Sequence, residues 1–240
     1  ASIVNIFTNK ELQECVRLRT PTLVRNEETG AIHISVRCCG ANRCSGKRRR
    51  LGSDNFVESD TAFGDNLKDC KVAMKTSIDN GTTWDKFQII SPPNKPGYGH
   101  GSALWDRIRK RIVLQYQSYP HGSTAPTADT TYYQIHSEDD ARTWSKPQDI
   151  SKFLEPCNPN HKNMMDLTAG NKIQTPSGRL LYTGHNHERE VCAWFSDDGG
   201  ITYNVSNIVR GNEISVAPLT SGKGHLYMNG RGQSFPQWDG

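Results

Sequence analysis

Acidic side chains recur at one fixed place in this sequence, within three octets that nearly repeat: Ser77-Ile-Asp-Asn-Gly-Thr-Thr-Trp84, Ser137-Glu-Asp-Asp-Ala-Arg-Thr-Trp144 and Ser196-Asp-Asp-Gly-Gly-Ile-Thr-Tyr203. Asp79, Asp139 and Asp198 have the chemistry of a calcium ligand or a general acid. Their repetition argues against both uses, because one active site needs unlike residues that converge once. A short carboxylate in such a turn instead accepts hydrogen bonds from the turn's own amides. Gly81 and Gly200 supply positive φ without a Cβ clash. The middle copy has Ala141 there, so its turn is expected to be strained or slightly different. Trp84, Trp144 and Tyr203 are expected to fold back as plugs against neighbouring sheet. The octets read as scaffolding.

Other clusters of reactive types are weaker. His185, His187, Glu188 and Glu190 are metal-ligating residues in a short span, but a loop of mixed charge is the simpler account. Seven cysteines, at 15, 38, 39, 44, 70, 157 and 192, contain no CxxC pair of the kind that holds zinc. Disulfides are expected if the chain is secreted, with one thiol left over. Sequons at Asn80-Gly-Thr82 and Asn204-Val-Ser206 lean the same way. The net charge of +4 is modest, and the dense basic run Lys47–Arg50, with Arg43 before it, has no interleaved aromatics. A solvated loop is expected there, and no nucleic-acid partner.

The elements that must position any site are strands. AIHISVRC (31–38), KVAMKTS (71–77), RIVLQYQSY (111–119), TYYQIHS (131–137), RLLYTGH (179–185), VCAWFS (191–196) and HLYMNGR (225–231) are rich in β-branched and aromatic residues and bounded by turn formers. The one helical turn expected is NKELQEC near the start. Each octet follows one strand and precedes another, and the octets begin 60 and 59 residues apart. A period of that length signals a repeat in which no unit buries its faces alone. About four strands and one such turn per unit suit a blade of a β-propeller. The expected fold class is therefore all-β. The 240 residues, with 34% hydrophobic content and a mean hydropathy of −0.70, contain no run of about 18 apolar residues. No membrane span is expected.

Taken together, these octets resemble the Asp-boxes of the sialidases (neuraminidases), and the stretches between them carry the likeness further. Leu18-Arg-Thr-Pro21 resembles a Phe-Arg-Ile-Pro signature in the family's first strand. Ser35-Val-Arg37 matches the end of the next strand. Asn212-Glu-Ile-Ser215 followed by Asn229-Gly-Arg231 is similar to an Asn-Glu-Ser turn and a later strand closing on Asn-x-Arg. Gly99–Asp106 and Ile173–Leu181 also read like family strands, with Met164, Met165 and Asp166 beside the sugar pocket or in packing.

The resemblance implies roles. Arg19, Arg37 and Arg231 would face the carboxylate of a sialic acid, since a guanidinium fork pairs bidentately with a carboxylate and stays charged. Asp65, on the long loop 38–68, would be the acid that protonates the leaving oxygen, with Asp60 in reserve and Asp54 also present. Glu213 would activate a tyrosine nucleophile, because a carboxylate nucleophile would be repelled by the anionic sugar. Two displacements give retention, and neither metal nor organic cofactor is implied. Terminal sialic acids on glycoproteins, glycolipids or oligosaccharides would be the substrates.

Residues 1–240 are expected to be a partial sialidase propeller, about four blades where the family has six, truncated at the C-terminus. The third triad arginine and the nucleophilic tyrosine would then lie beyond Gly240. Two rivals remain: a trans-sialidase, which would use the same residues, and a non-catalytic glycan-binding propeller, which would keep the arginines and lose the acid or nucleophile. The start, ASIVNIFTNKELQ, has no basic region followed by an apolar stretch. That leaves a cytosolic protein or a mature chain without its leader, and a secreted or lysosomal location is the expectation.

Overall fold

In the computed structural model, residues 5–15, 17–39, 70–92, 97–119, 129–158, 165–167, 172–186, 189–219 and 225–230 are described. They form antiparallel sheets in strict chain order. The first is β1 (Arg17–Arg25), β2 (Ile32–Cys39), β3 (Cys70–Ser77) and β4 (Gln88–Ile89), hydrogen-bonded in that sequence. The second repeats the pattern with β5 (Tyr98–Asp106), β6 (Arg111–Ser118), β7 (Thr131–Ser137) and β8 (Gln148–Asp149). In the third, β9 (Asp166–Leu167) and β10 (Ile173–Gln174) both pair with β11 (Leu180–His185), followed by β12 (Glu190–Ser196), which pairs with β13 (Asn204–Val205) and β14 (Val209–Arg210). Among the described residues a fourth sheet is the two-stranded ladder of β15 (Ile214–Pro218) and β16 (Leu226–Gly230). Two short helices, α1 (Asn9–Glu14) and α2 (Ser151–Leu154), flank the sheets.

Burial explains why these segments are strands without simple alternation. In β6, RIVLQYQS is buried from Ile112 to Ser118, so both faces are covered. The covering layers are the neighbouring sheets. Val72 and Met74 of the first sheet pack with Ala103 and Leu114 of the second. Leu104, Val113 and Tyr132 of the second pack with Tyr182 and Trp194 of the third. Leu181 and Ala193 of the third meet Val216 of the fourth. Antiparallel meanders stacked face to face in chain order are the architecture of a β-propeller.

The octets form as expected and are chemically alike. In each, the serine hydroxyl donates to the aspartate and accepts the amide four residues on: Ser77 to Asp79 Oδ1 at 2.8 Å and from Gly81 at 2.8 Å, Ser137 to Asp139 at 2.8 Å and from Ala141 at 2.9 Å, Ser196 to Asp198 at 2.7 Å and from Gly200 at 2.6 Å. The threonine amide and hydroxyl at 83, 143 and 202 occupy both carboxylate oxygens. Ala141 takes φ 64° where Gly81 has 85° and Gly200 has 93°, so the middle turn keeps the same circuit with an L-residue in the left-handed region. Trp144 and Tyr203 join clusters shared with the neighbouring sheet, as expected, whereas Trp84 packs on Ile34, Val36 and Ala73 of its own sheet.

Each later octet also grips the first hairpin of the sheet before it. Asp140 Oδ1 accepts from Asn26 Nδ2 at 2.7 Å and Thr29 Oγ1 at 3.2 Å, and lies 3.4 Å from His33 Nε2. Arg109 and Arg111 donate at 2.8 Å to the carbonyls of Asp198 and Gly199. In its second and third copies the turn is therefore a clasp between adjacent sheets as well as a hairpin staple.

Three disulfides form: Cys15–Cys38, Cys39–Cys70 and Cys157–Cys192. Cys44, Arg43 and the basic run at 47–50 lie outside the described residues. Helix α1 carries a capping box between Thr8 and Glu11, and Glu11 also takes the buried Lys75 ammonium at 2.9 Å. No helix among the described residues is long and apolar enough to cross a membrane.

Candidate functional site

The sheets have two distinguishable ends. Ser77, at the octet end of β3, pairs with Ile32 at the start of β2, whereas Arg37 pairs with Val72 near the start of β3. The octets thus occupy the end of the first sheet opposite Arg37. In the neighbouring ladder Arg19 of β1 is the direct partner of Arg37. Directly opposed residues in an antiparallel pair share a face and stand close, and like charges placed so are destabilising. Arg37 is buried, 4% exposed, and Arg19 is half-buried.

The backbone beside Arg19 is unusual. Thr20 has φ 52°, and the register of β1 shifts between Arg19 and Thr22. A β-branched residue at positive φ is a true outlier, and a bulge re-aims the side chains around it. Beyond the bulge, Thr22 Oγ1 donates to the Gly101 carbonyl of β5 at 3.0 Å, tying the first sheet to the second. Seven non-glycine residues among those described have positive φ. Asn80, Asp140 and Ala141 belong to the octets, and Lys110 and Arg189 to hairpin turns. The remaining two are Thr20 and Glu213. Glu213, at φ 38°, is exposed in the bend that leads into β15. Strained backbone of this kind clusters at functional sites.

Between the first and third sheets stands Tyr119, which the sequence did not single out. It follows β6, is 1% exposed and packs on the Cys39–Cys70 disulfide. Its hydroxyl donates to Asp166 Oδ1 at 2.7 Å. Burial, then the Asp166 charge, pushes its pKa well above the usual value, while the Arg37 guanidinium pulls the other way, so Arg37 lies within electrostatic reach. A Cβ on Gly99 would stand 2.3 Å from that hydroxyl, so glycine is required for tyrosine to fit. Arg37, Tyr119 and Asp166 thereby converge from three successive sheets. The segment holding Asp166 is fixed from below: Gln117 Nε2 and Tyr132 Oη donate to the Met165 carbonyl, and Gln117 Oε1 accepts the Leu167 amide at 3.0 Å. Met165 itself is core.

Asp54, Asp60, Asp65 and Arg231 lie outside the described residues, as does Met164. Glu190 is committed to its loop, accepting from Asn186 Nδ2 at 2.7 Å while its own amide donates to Asn186 Oδ1 at 2.9 Å. His187 and Glu188 are outside the described residues.

Face-to-face meanders with a basic pair at one end define a propeller with a candidate anion-binding site. Residues 61–238 match the family described as a BNR repeat-like domain, and the chain belongs to that family. No curated protein matches the sequence. Among solved structures, the Hadza microbial sialidase Hz136 is similar with a TM-score of 0.65 at 19% identity, over 85% of this chain and 40% of that one. The NanB sialidase from Streptococcus pneumoniae gives 0.64 at 13%, over 89% and 48%. The leech intramolecular trans-sialidase gives 0.62 at 14%, over 95% and 49%. The fold is that of the sialidase β-propellers. The chain spans less than half the length of each of these three proteins.

Proposed function

We propose that the chain belongs to an exo-α-sialidase that removes terminal sialic acids from glycoproteins, glycolipids or oligosaccharides, and that residues 1–240 form part of its propeller. The observation that carries this reading is the direct pairing of Arg19 with Arg37 beside the strained Thr20. Two guanidinium groups on one face of a ladder can converge on a single carboxylate through charge-assisted, bidentate hydrogen bonds. Arg231 would add a third such group. A sugar acid held by its carboxylate presents its anomeric carbon to neighbouring acid and base groups.

In that arrangement Asp65 protonates the leaving oxygen and later activates water. Glu213 draws the proton from a tyrosine nucleophile, and the strained backbone at Glu213 supports its selection for chemistry over a solvated turn. Three disulfides and two exposed sequon asparagines, Asn80 and Asn204, support an oxidising secretory location, secreted or lysosomal.

The full-length protein incubated with a fluorogenic α-sialoside tests the reading. Turnover that falls with Glu213→Gln while the fold stays intact is the expected result. Arg37→Ala should lower kcat/KM by about 10-fold to 100-fold, the loss of a hydrogen-bonded charge contact. Binding of sialosides without turnover would favour a non-catalytic lectin-like propeller, and transfer to added lactose would favour a trans-sialidase.

A further inference from the structure

One buried amine has no part in the scheme above. Lys172 lies immediately before β10, is 7% exposed, and desolvation brings its pKa down from 10.5 to about 7. A long cationic side chain is seldom placed in such a position without a specific use. Its Nζ stands 3.0 Å from Thr183 Oγ1, in the middle of β11 and fully buried. Thr183 in turn donates to the carbonyl of Ile214 at 3.2 Å. A carbonyl can only accept, so the single hydroxyl proton of Thr183 is committed to Ile214. The contact with Lys172 must therefore be donated by the lysine. The polarity of the chain is fixed: Lys172 to Thr183 to Ile214.

Ile214 is the residue after Glu213, and it opens the strand on which the fourth sheet begins. Glu213 has φ 38°, a conformation that persists only where the surroundings hold it. On one side of the bend, Gly211 has no room for a side chain, since a Cβ would be 2.7 Å from Val191 Cγ2. On the other side, the Ile214 carbonyl is the anchor, and Thr183 with Lys172 behind it fixes that anchor to the third sheet.

We propose that Lys172 is a positioning residue for Glu213: through Thr183 it pins the Ile214 carbonyl and so holds the left-handed bend from which the Glu213 carboxylate works. The inference rests on the reading of Glu213 as the group that activates the nucleophile. Lys172 itself does not touch substrate. The relay runs through the buried interface between the third and fourth sheets, and its effect is on the placement of a reacting group.

The test uses the full-length protein and a fluorogenic α-sialoside. Lys172→Met keeps the length and removes the donor; it should lower kcat about 10-fold to 100-fold with KM within about 2-fold, as expected when a catalytic group is displaced by a fraction of an ångström to an ångström. Thr183→Val should reproduce this loss and Thr183→Ser should restore activity. The double variant should be no worse than either single one, since both break one relay. If Lys172→Met does not fold, Thr183→Val against Thr183→Ser decides. An active wild type with unchanged kcat in Lys172→Met, or with Thr183→Ser as impaired as Thr183→Val, would overturn the relay and leave the sialidase reading standing. A wild type that turns over no sialoside would overturn that reading, and the relay's catalytic role with it.

Discussion

The Tyr119 hydroxyl, buried at the end of the second sheet, donates to the Asp166 carboxylate of the third at 2.7 Å, and Gly99 leaves the space in which it does so. This contact joins two sheets at the end where Arg19 and Arg37 oppose each other, so the shape of the candidate site depends on an inter-sheet bond as much as on the arginines. Tyr119→Phe should remove about 1.5–3 kcal/mol of stability, the range for a hydrogen bond to a charged group. Gly99→Ala should cost at least as much, because the tyrosine ring has to move. Urea denaturation of both variants checks the order.

The three octets share one hydrogen-bond circuit but not one environment. At Gly81 an added Cβ would find its nearest neighbour, Trp84 Cζ2, at 4.0 Å; at Gly200 it would meet Gln134 Nε2 at 2.7 Å and Tyr203 Oη at 3.1 Å. Gly81→Ala should therefore cost only the left-handed penalty, about 1–2 kcal/mol. Gly200→Ala should cost more, because it also disturbs buried side chains. Ala141 demonstrates that the turn closes around a Cβ when space is present. Equal thermal shifts for the two variants would contradict this ranking.

Acid should loosen the N-terminal segment. Burial raises the Glu11 pKa, but the Thr8 amide and the Lys75 ammonium outweigh it and hold the group at about 2 against an ordinary 4.5. A depressed folded-state pKa means that this contact stabilises the fold fully above about pH 4.5 and is lost as the pH falls towards 2. Glu11→Gln should flatten the fall in melting temperature across that window, and differential scanning calorimetry at stepped pH would show it. An unchanged slope would mean that other carboxylates carry the acid sensitivity.

The disulfide between Cys157 and Cys192 closes 35 residues and fastens the segment after α2 to the buried strand β12. Replacing both cysteines by alanine should cost about 2–5 kcal/mol. Chemical denaturation in the absence of reductant measures it. Stability equal to wild type would show that packing around Trp194 suffices without the bridge.

Much of the fold was legible in the chain. The octets announced their own hydrogen bonds, because serine, aspartate and threonine at those spacings leave each polar group only a local partner. Their period announced a propeller, since a unit of four short strands cannot cover its own faces. Strands such as β6 and β7 were visible from β-branched and aromatic composition. Two-residue strands such as β4 and β8 were not, because their identity comes from the partner strands β3 and β7 and not from any pattern of their own. Arg19, Arg37 and Glu213 could be chosen from motif likeness, but nothing in the sequence reveals that Thr20 and Glu213 carry strained backbone.

The amino acids alone determined the local and the periodic: capped turns, strand segments, and the candidate residues carried by short motifs. Only the tertiary structure decided which of them meet. Arg19 opposes Arg37 because a bulge at Thr20 sets the register of β1, and Tyr119 reaches Asp166 because two sheets stack at a fixed distance. Lys172 is an ordinary lysine in the sequence and becomes a buried donor only in the folded chain, beside Thr183 of β11. Register and burial are long-range properties, set by packing between segments tens of residues apart, and no local window of sequence contains them.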